Sequence, residues 1–152
     1  LTRIAQAVMA QHGTPVLYPM EAVRDVPDCY QVSHTHKDTL KECVSQIVSV
    51  MEERLDREEG EGKGRICVIV PDAQAQLWHA DESGASALDQ RVSYLTAAGS
   101  KGLEFDSVVV VEPGAILDQG SGDLFVALTR ATHDLHAVTT TQLPRGMEEW
   151  DA

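Results

Sequence analysis

Two short segments of the chain carry side chains that could bind an anion. Residues 96–106 read TAAGSKGLEFD, in which glycines, a hydroxyl and a lysine precede two carboxylates. Residues 126–131 read VALTRA and place one arginine, Arg130, beside apolar neighbours. Glycine lets a backbone approach an anion closely, and a guanidinium offers a planar, permanently charged fork that fits phosphate oxygens. The two segments therefore predict contacts to a phosphate-bearing ligand.

Each segment alone also has a purely structural explanation. Residues 96–106 could form a surface turn between two strands, capped by Asp106, and Arg130 could pair with a neighbouring carboxylate. Arg130 is expected near the end of an apolar, buried helix, so its guanidinium must reach an edge or a cleft, because an unpaired buried charge is too costly. Only the combination and order of the two segments separate a binding site from these alternatives.

Strands and helices alternate along the chain. Runs of β-branched residues predict buried strands, and apolar residues at helical spacing predict helices between them. The strands are predicted over residues 29–33, 65–70, 92–96, 108–111 and 135–140, and the helices over residues 4–9, 39–55, 73–79 and 124–131. Asp38 or Thr39 is expected to cap the second helix. This alternation predicts an α/β fold with a mainly parallel sheet covered by helices on both faces.

The predicted elements indicate where the first segment lies. Thr96 ends a strand and residues 97–102 follow it as a loop, at the strand end where open parallel sheets bind ligands. Glu104 and Asp106 flank Phe105, so the two carboxylates share one side while the ring is free to point inward. A carboxylate in that position is well placed to accept a ribose hydroxyl from a bound nucleotide.

Together, the sequences SKGLEFD and VALTRAT resemble motifs V and VI of the superfamily 1 helicases related to UvrD and Rep, in residues and in order. The resemblance implies a second RecA-like domain with its core at about residues 66–143. Residues 1–64 would form the N-terminal portion of the same domain, and residues 144–152 an acidic tail. ATP would bind between this domain and an N-terminal RecA-like domain of the same polypeptide.

The resemblance also implies roles for individual residues in an ATP-dependent DNA helicase or translocase. Glu104 would contact the ATP sugar, and Gly102 would allow the nucleotide to approach closely. Arg130 would contact the γ-phosphate as the catalytic residue. The residues expected near single-stranded DNA or another nucleic acid are Thr96, Ser100 and Lys101.

Several departures from the helicase pattern predict that this chain is one part of a motor rather than a whole motor. It has no G-x-x-x-x-G-K-[ST] phosphate loop, so the isolated chain is expected to be inactive and to hold neither ATP nor Mg²⁺ tightly. The motif IV arginine would lie just before Leu1. Only residues 78–91 stand where UvrD-type helicases insert a subdomain before motif V. This short gap and the run VVVVEPGAI are similar to the HelD branch, whose members act on RNA polymerase.

The net charge of −12 is unusual for a nucleic-acid binder, because phosphate contacts usually come from a basic surface. Either other domains supply the positive field, or a protein partner such as RNA polymerase is the main contact. A third hypothesis is a non-catalytic α/β interaction module that merely retains the motifs.

Other classes of function have little support in the sequence. Three cysteines without a C-x-x-C pair argue against a zinc site or a disulfide framework and favour a cytoplasmic location. No apolar run reaches the roughly 20 residues that span a bilayer, so no membrane association is predicted. His34 and His36 lie two residues apart, as metal ligands could, but no third ligand accompanies them, and no metal site is predicted.

Overall fold

The computed structural model describes residues 30–147, apart from the side chains of Ser86 and Leu88. The predicted helix over residues 4–9, Cys29 and the last residues of the predicted acidic tail lie outside this range. The strands within it are β1 (Tyr30–His34), β2 (Ile66–Val70), β3 (Val92–Thr96), β4 (Phe105–Val111) and β5 (Ala131–Thr139). They form one sheet in the order β1-β5-β4-β2-β3, and every pairing is parallel. The predicted parallel sheet is confirmed.

Helices cover both faces of the sheet, as predicted. They are α1 (Leu40–Glu59), α2 (Ala75–Trp78), α3 (Ala97–Ser100), α4 (Pro113–Gln119) and α5 (Ser121–Leu128), with 3₁₀ turns at Lys37–Thr39, Asp72–Gln74 and Ala85–Leu88. The apolar stripe of α1 packs on one face, and α4 and α5 pack on the other. Because successive strand residues point to opposite faces, Val108 lies on the α5 side and Val109 on the α1 side. Each such buried valine stabilises the fold by about 1.5–3 kcal/mol relative to an exposed one.

Three local features differ from the prediction. Thr39 is the N-cap of α1, but its hydroxyl donates to the His36 carbonyl (3.2 Å) rather than capping the helix. Residues 97–102, predicted as a loop, begin with the helical turn α3. The sequence-based prediction also misses α4, in which Pro113 occupies the first turn and presets a helical φ.

Two features are absent from the described part of the chain. Within residues 30–147, no helix is both long enough and apolar enough to cross a bilayer. The same residues contain no cluster of three or more potential ligands that could hold a metal ion. Cys67 is fully buried and Cys43 half-buried, and burial raises the pKa of both thiols, which disfavours the reactive thiolate.

Glu112 connects the carboxyl ends of β4 and β5. Its backbone is left-handed (φ 52°, ψ 62°), and its buried carboxylate accepts hydrogen bonds from the Thr140 amide (2.6 Å) and the Thr140 hydroxyl (2.7 Å). A left-handed backbone costs a non-glycine residue about 1–3 kcal/mol. A hydrogen bond to a charged group contributes about 1.5–3 kcal/mol, so the carboxylate offsets the strain.

We expect Glu112→Ala to lower the free energy of unfolding by about 2 kcal/mol, because alanine loses both hydrogen bonds and keeps the strained backbone. Glu112→Gly should lose less, since glycine also removes the strain. Urea unfolding of the two variants measures the difference. A larger loss for glycine than for alanine would contradict this account of the strain.

Candidate functional site

Arg130 lies in the short connection between α5 and β5. The apolar helix ends at Leu128, Thr129 forms its C-cap, and β5 begins at Ala131. The prediction that the helix continues to residue 131 is therefore wrong at its C-terminal end, because pairing of Ala131 with Phe105 starts the strand there. Arg130 consequently stands at the amino end of a strand rather than on a helix.

The two segments singled out by the sequence contact each other directly. The Phe105 amide donates to the Arg130 carbonyl oxygen (3.0 Å), and Arg130 Nη1 donates to the Leu103 carbonyl oxygen (3.4 Å). Both contacts follow from the parallel pairing of β4 with β5, which places the starts of these strands side by side. The backbone of residues 103–105 therefore lies directly beside Arg130.

Three hydrogen bonds hold the guanidinium of Arg130. Besides the bond to Leu103, Nε donates to the Val126 carbonyl oxygen (3.1 Å) and Nη2 to Thr129 Oγ1 (3.1 Å). Within residues 30–147, no carboxylate forms an ion pair with this arginine. A guanidinium has five N–H donors, so one remains on Nη1 and one on Nη2. Two such donors can bind two oxygens of one anion.

Glu104 and Gly102 are exposed beside Arg130. Glu104 points outward while its neighbour Phe105 is only 2% exposed, as the alternation along a strand predicts. Gly102 has a φ of +77°, and a Cβ built on it would meet nothing within 4 Å. The glycine is thus required by its backbone conformation, and its outer side is open to a ligand. The Asp106 carboxylate, in contrast, accepts a hydrogen bond from the Arg65 amide (2.7 Å).

The three residues predicted to lie near nucleic acid differ in exposure. Thr96 is 1% exposed, and its Oγ1 accepts a hydrogen bond from the Gly99 amide (3.1 Å), which caps α3. Ser100 is fully buried and donates to the Ala97 carbonyl oxygen (2.8 Å). Lys101 is exposed. Both hydroxyls are therefore engaged by their own backbone, and Lys101 is the member of this trio that presents its side chain to solvent.

The first segment runs from the carboxyl ends of the strands, here called the carboxyl edge of the sheet, to their amino ends, here called the amino edge. Thr96 is the last residue of β3, whereas Ser107 near the start of β4 pairs with Ile66, the first residue of β2. Thr96 therefore lies at the carboxyl edge, and Glu104 and Arg130 lie at the amino edge. The expected position at the carboxyl end of a strand fits Thr96, and residues 97–104 then carry the chain back along the sheet to Glu104 and the start of β4.

Sequence reasoning misses two residues beside this surface. The guanidinium carbon of Arg65 lies 4.8 Å from the centre of the Phe105 ring, and its Nη2 donates to the Ala87 carbonyl oxygen (2.7 Å). Such a cation–π contact stabilises the ring position by about 0.5–2 kcal/mol. Thr129, the partner of Arg130, is the second. Neither could be found from spacing, because Arg65 meets Phe105 only through strand pairing and Thr129 acts only through where α5 ends.

Comparisons with known proteins agree with this fold. The structure is similar to the C-terminal domain of a possible DNA helicase from Lactobacillus plantarum WCFS1, with a TM-score of 0.59. The sequences are 15% identical, and the similarity covers 96% of this chain and 87% of that one, which supports a shared fold. No curated protein sequence is detectably similar to the chain.

A family model gives the assignment at the level of sequence. Residues 24–139 match the model described as the viral superfamily 1 RNA helicase core domain, and this range includes both segments of the candidate site. None of these matches singles out the HelD branch or a role with RNA polymerase. Since the match extends over most of its length, the chain belongs to the family of superfamily 1 helicase core domains.

Proposed function

We propose that this chain is the second motor domain of an ATP-dependent superfamily 1 helicase or translocase. It contributes one wall of an ATP site that it shares with an N-terminal RecA-like domain of the same polypeptide. The main support is Arg130, whose guanidinium is fixed by three bonds while one N–H on each terminal nitrogen has no partner within residues 30–147. A fork held in this way suits the oxygens of a phosphate.

In the proposed site, each exposed group has a defined task. Arg130 binds the γ-phosphate and stabilises the negative charge spread over its oxygens during transfer. Glu104 accepts a hydrogen bond from a ribose hydroxyl, and the open side of Gly102 lets the nucleotide approach the backbone. Mg²⁺, held with ATP by the other domain and its phosphate loop, would neutralise part of the phosphate charge.

Residues 96–106 could couple the ATP site to the nucleic-acid contact. The helical turn α3 and residues 101–104 connect Thr96 at one edge of the sheet to Phe105 at the other. α3 also packs against α5, whose last turn holds Arg130. Closure of the ATP site on Arg130 would therefore move α3 and Lys101 together, and this movement would alter their contact with a bound strand.

We propose single-stranded DNA as the strand, with RNA as the alternative that the comparisons leave open. The similar solved structure is described as part of a possible DNA helicase, whereas the matched family model is described as an RNA helicase core. With a net charge of −12, this chain can add only a few phosphate contacts, such as one from Lys101, and other domains must supply the rest.

The acidity also favours a second candidate, an ATP-driven remodeller of RNA polymerase of the HelD type. A protein partner does not require the basic surface that phosphate contacts require. A third candidate is a non-catalytic interaction module, which assigns no ligand to the two N–H groups of Arg130 that have no protein partner within residues 30–147.

ATP hydrolysis by the full-length protein tests the proposal, measured alone, with single-stranded DNA and with single-stranded RNA. We expect hydrolysis to increase with a strand, and the strand that stimulates at the lower concentration identifies the nucleic acid. Hydrolysis that responds to RNA polymerase but to neither strand would support the remodeller. Failure to bind or hydrolyse ATP under all of these conditions would support the non-catalytic module.

A further inference from the structure

Thr129 has an unusual position at the end of α5. It is the C-cap of the helix, and its hydroxyl lies 2.9 Å from the Phe125 carbonyl oxygen and 3.1 Å from the Val126 carbonyl oxygen. A threonine hydroxyl carries one proton and two acceptor lone pairs. Donation to either carbonyl satisfies an acceptor in the last helical turn and leaves Oγ1 oriented to accept a hydrogen bond in return.

The donor to Thr129 Oγ1 is the arginine that follows it. Arg130 Nη2 donates to this oxygen (3.1 Å), while Nε of the same guanidinium donates to the Val126 carbonyl oxygen (3.1 Å). The last turn of α5 thus holds the guanidinium at two points. The third contact, from Nη1 to the Leu103 carbonyl oxygen, is longer at 3.4 Å and weaker.

Holding an arginine side chain has a measurable value for catalysis. A free arginine populates many rotamers, and fixing it in one of them costs conformational entropy. If the side chain is already fixed before ATP binds, that entropy does not have to be lost in the transition state. The hydrogen bond from Nη2 to Thr129 restricts the rotation that would carry the free N–H groups away from their present direction.

We propose that Thr129 is a positioning residue, which holds the Arg130 fork in the orientation needed at the γ-phosphate. This inference rests on the proposed function, since it assigns to Thr129 a task in the same ATP site. Thr129 does not touch the nucleotide in this account. It acts through Arg130 alone, by accepting one hydrogen bond from Nη2 while its own proton is bound by a helix carbonyl.

The test replaces Thr129 with valine in the full-length protein, because valine keeps the shape and the β-branch but cannot accept a hydrogen bond. We expect kcat for strand-stimulated ATP hydrolysis to fall by about tenfold with KM for ATP changed by less than about twofold. Thr129→Ser keeps the hydroxyl and should restore most of the rate. Thr141→Val makes the same change at an exposed threonine far from this surface and should leave the rate unchanged.

A double-variant cycle with Arg130→Ala tests the positioning role of Thr129 separately from the proposed ATPase function. If Thr129 acts through Arg130, adding Thr129→Val to Arg130→Ala lowers kcat no further. An equal additional loss in that background, or a loss that serine does not restore, overturns the positioning role. If Arg130→Ala itself leaves hydrolysis unchanged, the proposed function fails instead. If the valine variant does not fold, Thr129→Ala replaces it and kcat is measured in the same cycle. Urea unfolding is measured for every variant.

Discussion

Arg130→Ala should lower strand-stimulated ATP hydrolysis by the full-length protein by about 10³-fold or more, because an arginine at the γ-phosphate contributes roughly 10³–10⁵ in rate. The loss should appear mainly in kcat, since the bond strengthens as charge develops on the transferred phosphoryl group. Steady-state hydrolysis at saturating strand and varied ATP measures both constants. Arg130→Lys should recover only part of the rate, because an ammonium keeps the charge but lacks the planar fork.

Two further measurements make this result interpretable. Arg57→Ala removes an exposed arginine on α1, which packs on the face of the sheet opposite α5, and should leave hydrolysis unchanged. Urea unfolding of the Arg130 variants shows how much of any loss is structural, because the side chain also bonds to Val126 and Leu103. A loss of less than about tenfold, or roughly 1.4 kcal/mol, would contradict a role in the transition state.

The pattern of apolar residues was sufficient to predict the sheet, but not where its strands and helices begin and end. The β-branched run at Val108–Val111 and the apolar run at Ile66–Val70 are buried on both faces, and such runs predict central parallel strands directly. The ends of elements depend on partners instead. Helical spacing predicts that α5 continues through Thr129 and Arg130, yet the helix stops at Leu128 because Ala131 pairs with Phe105, a residue far away in the chain.

The candidate site shows the same limit. The residue types at Glu104, Gly102 and Arg130 could be selected from the sequence, because their chemistry suits a nucleotide. Their position at the amino edge could not, since it depends on α3 carrying the chain back across the sheet. The burial of the Thr96 and Ser100 hydroxyls could not be predicted either, because the local sequence here is compatible with both a helical turn and a loop.

Gly99→Ala should be among the most destabilising single changes in the described part of the chain. A Cβ at this position would lie 2.4 Å from the Asp81 carbonyl oxygen and 3.1 Å from the Glu82 carbonyl carbon, both backbone atoms. The Asp81 oxygen cannot retreat freely, because it also accepts a hydrogen bond from the Thr96 amide (3.3 Å). We expect the free energy of unfolding to fall by about 3 kcal/mol, measured by urea unfolding.

Gly122→Ala is the matched control for this prediction. Gly122 lies in α5, and a Cβ there would meet nothing within 4 Å. Alanine in a helix is favoured over glycine by up to about 1 kcal/mol, so this variant should be unchanged or slightly more stable. Equal losses at Gly99 and Gly122 would show that the close approach of residues 81–84 to α3 does not determine the effect.

Gly84→Ala probes the same contact from the opposite side, because a Cβ at Gly84 would lie 2.4 Å from the Gly99 carbonyl oxygen. One movement, in which residues 81–84 separate from α3 and release β3, can relieve both clashes, although the φ of +78° at Gly84 strains alanine there in either case. The double variant should therefore lose clearly less stability than the sum of the two single losses. The same separation would break the hydrogen bond from the Thr96 amide to the Asp81 carbonyl oxygen and so free Thr96, the N-cap of α3. Gly99→Ala should therefore also weaken strand binding through Lys101. Additive losses of stability with unchanged strand binding would mean that residues 81–84 do not hold α3 in place.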